Sequence, residues 1–514
     1  SRGLVGSEMC IRDSVTTGAP ARAGTRRMNP ENRNMILAIT LSMAVLFGWQ
    51  MFVVGPELEK EAAMQQAIAE QEAAAAAASG DAPQVDPDAV AGSAGAAATG
   101  QLSASEAAPA VEAPRIVIDA PLVSGSISLA GLRVDDIMLK AYQETQDPDS
   151  ENIQFLLKTS TAAPFFAEFG WASADAAQPM PKSDSVWTAS SMVLSPGSPV
   201  TLTWENGNGL TFRRQLSIND DYMITVDDSV ESALSAPLTL FPYGLVRRHG
   251  TPATTGIYIL HEGALGVFDE TLREEDYDDM RDADGGVSEI RPEMPGGWIG
   301  FTDKYWLAAL LPDQSANMNF AFKSLAGPSD RYQVDYIASE ASVLPAGGVV
   351  SSQTRLFAGA KKVSLLDGYA DELGIANFDL AIDFGWFYFL TKPFFYAINW
   401  LNSLLGNFGL AVLAFTIVVK LVFFPLANKS YRSMGKMRVL SPKIQEIRER
   451  HADDRMAMNQ AMMALYKEEK VNPAAGCLPV LLQIPVFFAL YKVLFVTIEM
   501  RHAPFFGWIT DLSA

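Results

Sequence analysis

Two cysteines in 514 residues, Cys10 and Cys477, leave no material for a disulfide framework, and four histidines supply no cluster at metal-ligand spacing. No glycine-rich phosphate loop with its following lysine occurs, so the P-loop NTPases are excluded and no ATP use or cofactor is expected. Basic residues are scarce over residues 56–383, 19 against 48 acidic ones. That imbalance argues against DNA or RNA binding by this part of the chain. Duplicated halves are also absent, which removes the usual signature of a small-solute transporter.

What the chain has instead is a set of apolar runs separated by segments of contrasting character. Residues 1–27 show no periodicity and precede the better start at Met28, so they read as a non-native leader. Within 28–56, the twenty uncharged residues 35–54 are long enough, at about 1.5 Å per residue, to cross a bilayer core as a helix. Arginines precede this run and Glu57, Glu59 and Glu61 follow it, which places the N-terminus inside. Residues 57–114 are rich in Ala, Pro and acids and too poor in apolar bulk to fold. They form a flexible linker.

From 115 to 366 the pattern changes to short alternating runs, among them RIVIDA, LTFRRQLSI, YMITVDDSV, GIYILHEGALGVF and RYQVDYIA, separated by turns such as Glu205-Asn206-Gly207-Asn208-Gly209. Such spacing predicts a large antiparallel β-sandwich with its own core. Its candidates for acid–base chemistry are His249 and the pair His261-Glu262, each of which has an equally simple structural role. The acidic run from Glu274 to Asp279 lacks the ligand spacing and glycine of a calcium loop and reads as a solvated loop.

Residues 367–407 form a connector that ends in an aromatic-rich helix, on which Lys392, Asn399, Asn402 and Ser403 draw a polar stripe of the kind seen at membrane interfaces. A second span follows at 408–428, ending near Pro425 to Asn428. Its one ionisable residue is Lys420, with Thr416 one turn earlier on the same face. An ammonium at bilayer depth costs roughly 3 kcal/mol on insertion scales unless it finds water or a partner, so it marks a functional site. A lysine about eight residues from the inner end can also snorkel, roughly 12 Å by the helical rise. Both readings stand.

Residues 429–476 carry ten basic and six acidic residues, the reverse of the β region, which puts this segment inside and the sandwich outside. Met434, Met437, Leu440, Ile444 and Ile447, then Met458, Met462 and Leu465, recur at three and four residues. They predict a helical hairpin turning at His451 to Asp454, its methionines forming the seam or a surface for varied partners. A third span at 477–498 holds Pro479 and Pro485 with Gln483 between them, its amide placed either to serve freed carbonyls or to line a polar path. Residues 499–514 begin an external loop. The whole reads as a multi-domain membrane protein: an anchor, a large external sandwich, and an α-helical membrane core with a cytoplasmic hairpin.

The run FFPLANKSYRSMGKMRVLSPKIQEIRER, followed by MMALYKEEKVNPAAGCLPVLLQIPVFFALYKV, closely resembles the YidC family of membrane protein insertases, and GGWIGFTDKYWLAALLP is similar to the periplasmic domain of its long Gram-negative members. The resemblance implies a bacterial inner-membrane protein whose periplasmic super-sandwich is similar to sugar-epimerase folds. It further implies a non-enzymatic insertase and chaperone, with Lys420, Thr416 and Gln483 in a hydrophilic groove open to cytoplasm and lipid. The expected partners are nascent membrane proteins, lipid, the Sec translocon, and the ribosome and signal recognition particle, contacted by Lys429, Arg432, Lys436, Arg438, Lys443, Arg448 and Arg450. Arginine is the common family residue at position 420, and lysine lacks its planar fork. Family members continue with more membrane helices, so a C-terminally truncated sequence is expected. A membrane-anchored periplasmic carbohydrate-binding or sugar-modifying protein is the alternative.

Overall fold

Alternation along the chain builds the β region. In Leu210–Ile218, Leu210, Phe212, Leu216 and Ile218 are buried while Arg213 and Gln215 face outward. Arg214 takes an inward position, and the core tolerates it because Asp228 grips its guanidinium at 2.6 and 2.8 Å and the Phe169 carbonyl accepts a third bond at 2.8 Å. Asn206 sets the preceding turn, its side-chain oxygen accepting from the Asn208 and Leu210 amides.

The computed structural model describes residues 113–513, with breaks at 148, 174, 176–177, 258, 326–328, 453, 470 and 472–477. The leader, the anchor and nearly all of the linker expected at 1–112 lie outside the described residues, as do Cys10, Asp453 and Cys477.

Eleven strands make one sheet and nine the other. Among the described pairings, only Arg115–Asp119 beside Val193–Leu194 is parallel. The long central strands Val349–Ala360 and Leu238–His249 belong to opposite sheets, and Trp298, Phe301, Phe320, Phe322 and Phe357 fill one continuous core. This is the expected antiparallel sandwich. The run GGWIGFTDKYWLAALLP forms the buried hairpin Trp298–Thr302 and Trp306–Leu311.

Two local expectations fail. The acidic run is not a loop: Thr271–Asp276 is an edge strand, and Asp276 caps helix α1 (Tyr277–Asp282) by accepting from the amides of Asp278 and Asp279. Carboxylates in a first turn suit the positive end of the helix, and Tyr277 and Met280 anchor it in the core. Likewise, among the described residues of GIYILHEGALGVF, only Gly263–Phe268 is strand. Glu262 holds the preceding residues off the sheet, taking bonds from the Thr255 amide at 2.6 Å, the Thr255 hydroxyl at 2.7 Å and the Lys304 amide at 3.1 Å.

After the sandwich come helices α2 (Val363–Leu373), α3 (Tyr388–Leu405), α4 (Phe408–Arg450), α5 (Arg455–Glu468) and α6 (Leu478–Val496). Residues 431–476 belong to a separate compact unit from the sandwich, the connector and the remaining helical residues. Contrary to expectation, α4 does not end near Pro425 but runs on as one helix of 43 residues. A single proline deletes one backbone donor, which a long apolar helix tolerates, and no glycine lies between Asn428 and Met434 to stop it. In the second unit Leu440, Leu465 and Val471 are buried, with Met437, Ile444 and Ile447 packed beside them, while Met434 is exposed. Asp454 caps α5 through the amides of Met456 and Ala457.

Candidate functional site

Among the described residues, α4 and α6 are the two helices long and apolar enough to cross a membrane, and only 11% and 17% of their apolar windows are buried. A core helix of a soluble protein would be mostly enclosed. On α4 the packed face is Phe408, Ala411, Val412, Phe415 and Val419, while Leu413, Ile417, Leu421, Val422 and Phe424 stand exposed. On α6 the packed residues are Ala489, Leu490, Val493, Leu494 and Val496. Its first half is bare: Val480, Leu481, Leu482, Ile484, Phe487 and Phe488 are all exposed.

Thr416, Lys420 and Gln483 sit on these two helices. The Thr416 hydroxyl donates to the Val412 carbonyl at 2.8 Å, so it is half-buried and self-satisfied within the helix. Lys420 is exposed, four residues on, and makes no ion pair among the described residues. Gln483 is exposed in the bare half of α6, and no described hydrogen bond ties its amide to the carbonyl freed by Pro485. Pro479 falls in the first turn of α6, where its missing donor is one the helix would leave unpaired in any case. No described contact joins the three side chains to one another.

The seven basic residues from Lys429 to Arg450 are all exposed. Two are engaged, Lys443 with Glu469 at 2.8 Å and Arg450 with Glu446 at 2.5 Å. In the sandwich, two of the three acid–base candidates serve structure: the His261 ring meets the Ala264 carbonyl through Nε2 at 2.8 Å, its amide donates to Asp383, and Glu262 is committed to Thr255 and Lys304, while the His249 ring lies 6.3 Å from that of Phe166. The described residues hold no group of three or more metal-ligating side chains.

Sequence reading named the aromatic-rich helix but singled out none of its exposed aromatics, and it passed over those after α6. Trp386, Phe389, Tyr396, Trp400, Phe506 and Trp508 are exposed, Trp386 and Trp508 by 98% and 90%. On α3 the exposed face is therefore aromatic, and the expected polar stripe only borders it, because Lys392 turns to Asp367 at 2.8 Å and Asp379 at 2.6 Å.

Residues 115–397 match the family model described as the YidC periplasmic domain, and residues 400–514 match the 60Kd inner membrane protein. The chain belongs to the YidC family of membrane protein insertases. The membrane protein insertase YidC of Beijerinckia indica is 48% identical over 492 residues, covering 95% of this chain and 80% of the relative. That of Methylobacterium sp. strain 4-46 is 47% identical over 510 residues, covering 95% and 81%. A crystal structure of an active YidC insertase with its first transmembrane domain resolved shares 18% identity over 79% of this chain and 77% of that one, with a TM-score of 0.26. Membership in the YidC family assigns the chain to the inner membrane and its sandwich to the periplasm, and it leaves no place for a sugar-modifying enzyme.

Proposed function

We propose that this insertase receives the polar flank of a nascent membrane protein against the apolar run of α4 and the first half of α6, with Lys420, Thr416 and Gln483 as its polar contacts. The observation that carries the reading is the pairing of bareness with polarity: the unpacked half of α6 holds Gln483, and the exposed side of α4 holds its one charge within the apolar run. Water drawn to these groups shortens the low-dielectric path for a substrate's charges. The substrate's apolar segment then partitions sideways into lipid, which provides the driving force at about 25 cal/mol per Å² buried.

The exposed aromatics of α3 and of the segment after α6 suit the level of the outer head groups, with α3 lying along the membrane surface. Lys429, Arg432, Lys436, Arg438 and Arg448 carry no described ion pair and suit a polyanionic partner such as the ribosome. Cooperation with the signal recognition particle and the Sec translocon follows the same reading.

A photo-crosslinking amino acid at position 420, with ribosomes stalled on a short inner-membrane protein, tests it. Adducts that appear at particular nascent-chain lengths and fade as the chain grows support a substrate path. Adducts to lipid alone, with insertion undiminished in Lys420→Ala, leave the lysine as a snorkelling residue and remove the proposal.

A further inference from the structure

A second lysine sits in the apolar helices, and its surroundings differ from those of Lys420. Lys492, four residues before the end of α6, is only 14% exposed. Its ammonium lies 2.7 Å from the Asp383 carboxylate and also donates to the Ile259 carbonyl. Asp383 belongs to the connector, whereas Ile259 belongs to the segment held off the sheet by Glu262. The same Asp383 oxygen accepts the His261 amide at 3.2 Å, so one carboxylate ties α6 to the sandwich. Gly385, at φ +69°, leaves room for the lysine stem: a Cβ there would come within 2.9 Å of Lys492 Cε.

Snorkelling does not account for this arrangement. A snorkelling lysine leaves its head in water and needs no built receptor. Here the head is withdrawn from water and shared between two acceptors from different segments. Neighbouring contacts point the same way. The Lys304 ammonium lies 4.0 Å from the centre of the Phe495 ring. Arg501, just beyond α6, donates to the Gln143 carbonyl at 2.7 Å and stacks over Trp306. Every one of these contacts lies at the outer end of α6, and among the described residues the inner half has none.

We propose that Lys492 and Asp383 are a positioning pair for insertion: through them the periplasmic domain fixes the outer end of the third span, so that its bare inner half is presented at a constant place. The pair touches no substrate. Its effect on insertion runs through the placement of α6, and it does not rest on which residues line the substrate path.

Charge exchange in the full-length protein tests this, reading the insertion of a short inner-membrane protein into membrane vesicles at matched insertase abundance. Lys492→Glu and Asp383→Lys should each lower insertion about fivefold or more, as expected for leaving one partner of a withdrawn ion pair alone. The double exchange should insert better than either single variant while staying below the parent, since a carboxylate at position 492 cannot donate to the Ile259 carbonyl and an ammonium at position 383 cannot accept the His261 amide, whereas Lys492→Arg should retain insertion. Single variants that insert like the parent overturn the proposal, and so does an exchange no better than the better single variant. Should the reversed variants fail to accumulate, the neutral set Lys492→Gln, Asp383→Asn and their combination decides. Losses that coincide support a coupled pair, and losses that add refute it.

Discussion

The Lys392 ammonium lies 2.6 Å from Asp379 and 2.8 Å from Asp367, so that α3 is pinned to the connector and to α2 by a single side chain. Tyr388, one turn earlier on α3, donates to the same Asp379 carboxylate. Burial works against the charge of Lys392, but the bonds to Asp367, Asp379 and Tyr388 prevail and hold its titration above the ordinary lysine range. Lys392→Met should therefore leave two carboxylates facing each other and cost about 3 kcal/mol, the low end for breaking a withdrawn ion pair, since this one is partly wet. Thermal unfolding in detergent, with Lys392→Arg as the charge-preserving control, reads the loss.

Glu499 predicts a pH dependence of the same sense as that of Lys392 but in a lower window, since both titrate higher in the folded state. It follows α6 directly, one of its carboxyl oxygens is buried without a hydrogen-bond partner among the described residues, and burial pushes its carboxyl up to about 7. The amides of Glu499 and Val363 and the charge of Lys362 pull the other way without prevailing. An acid whose titration is raised by folding binds more protons in the native state than in the unfolded one between about pH 4.5 and 7, so stability falls across that window as pH rises. The difference amounts to roughly 3 kcal/mol once the carboxyl is ionised. Glu499→Gln should flatten this part of the profile and raise the unfolding temperature at pH 8 while leaving it nearly unchanged at pH 4.5. A profile that keeps the parent's slope assigns the pH dependence to other groups.

Gly359, in the central strand Val349–Ala360, has no room for a side chain: a Cβ would lie 2.2 Å from Cγ of the buried Tyr222. The ring has little freedom to move, being wedged against Phe357 with its centroid 6.0 Å away. Gly359→Ala should destabilise the sandwich by about 2–3 kcal/mol through overpacking, visible as a lower midpoint in denaturant and faster proteolysis of the periplasmic domain.

Strand alternation and the long uncharged runs carried the architecture, because burial on one side of a strand, or in lipid, is written residue by residue into the sequence. Arg214 shows the limit: an inward arginine breaks the alternation, and Asp228, its partner, lies on the next strand. Glu262 is similar, since nothing adjacent in the chain says that Thr255 and Lys304 will claim it. For the candidate site, Lys420 was legible as a lone charge in an apolar run. Lys492 was passed over in a comparable setting, because its receptor comes from Asp383 and Ile259, more than a hundred and two hundred residues away. The extension of α4 past Pro425 was illegible for a different reason: one proline is a weak stop when no capping residue or glycine reinforces it.

Lys420 yields a prediction about clients rather than about stability. It is exposed, makes no ion pair among the described residues, and bonds to nothing that holds α4 in place. Replacing it should leave the unfolding temperature within a degree or so of the parent, as for surface sites away from packed or paired groups, worth about 0.5 kcal/mol at most. Its use as a substrate contact would show instead in the charge of the translocated tail. Two unit charges 4 Å apart attract by about 4 kcal/mol at an effective dielectric near 20, and by about 1 in bulk water. Lys420→Ala should accordingly slow insertion of a short tail bearing one or two acidic residues, and it should have little effect on a tail in which those residues are changed to Asn or Gln. Lys420→Arg should insert both, because a point charge is enough to attract a carboxylate even without two-pronged geometry. Equal losses for acidic and neutral tails would mean that the charge of Lys420 does not read its clients, and that its contribution lies in wetting the helix surface.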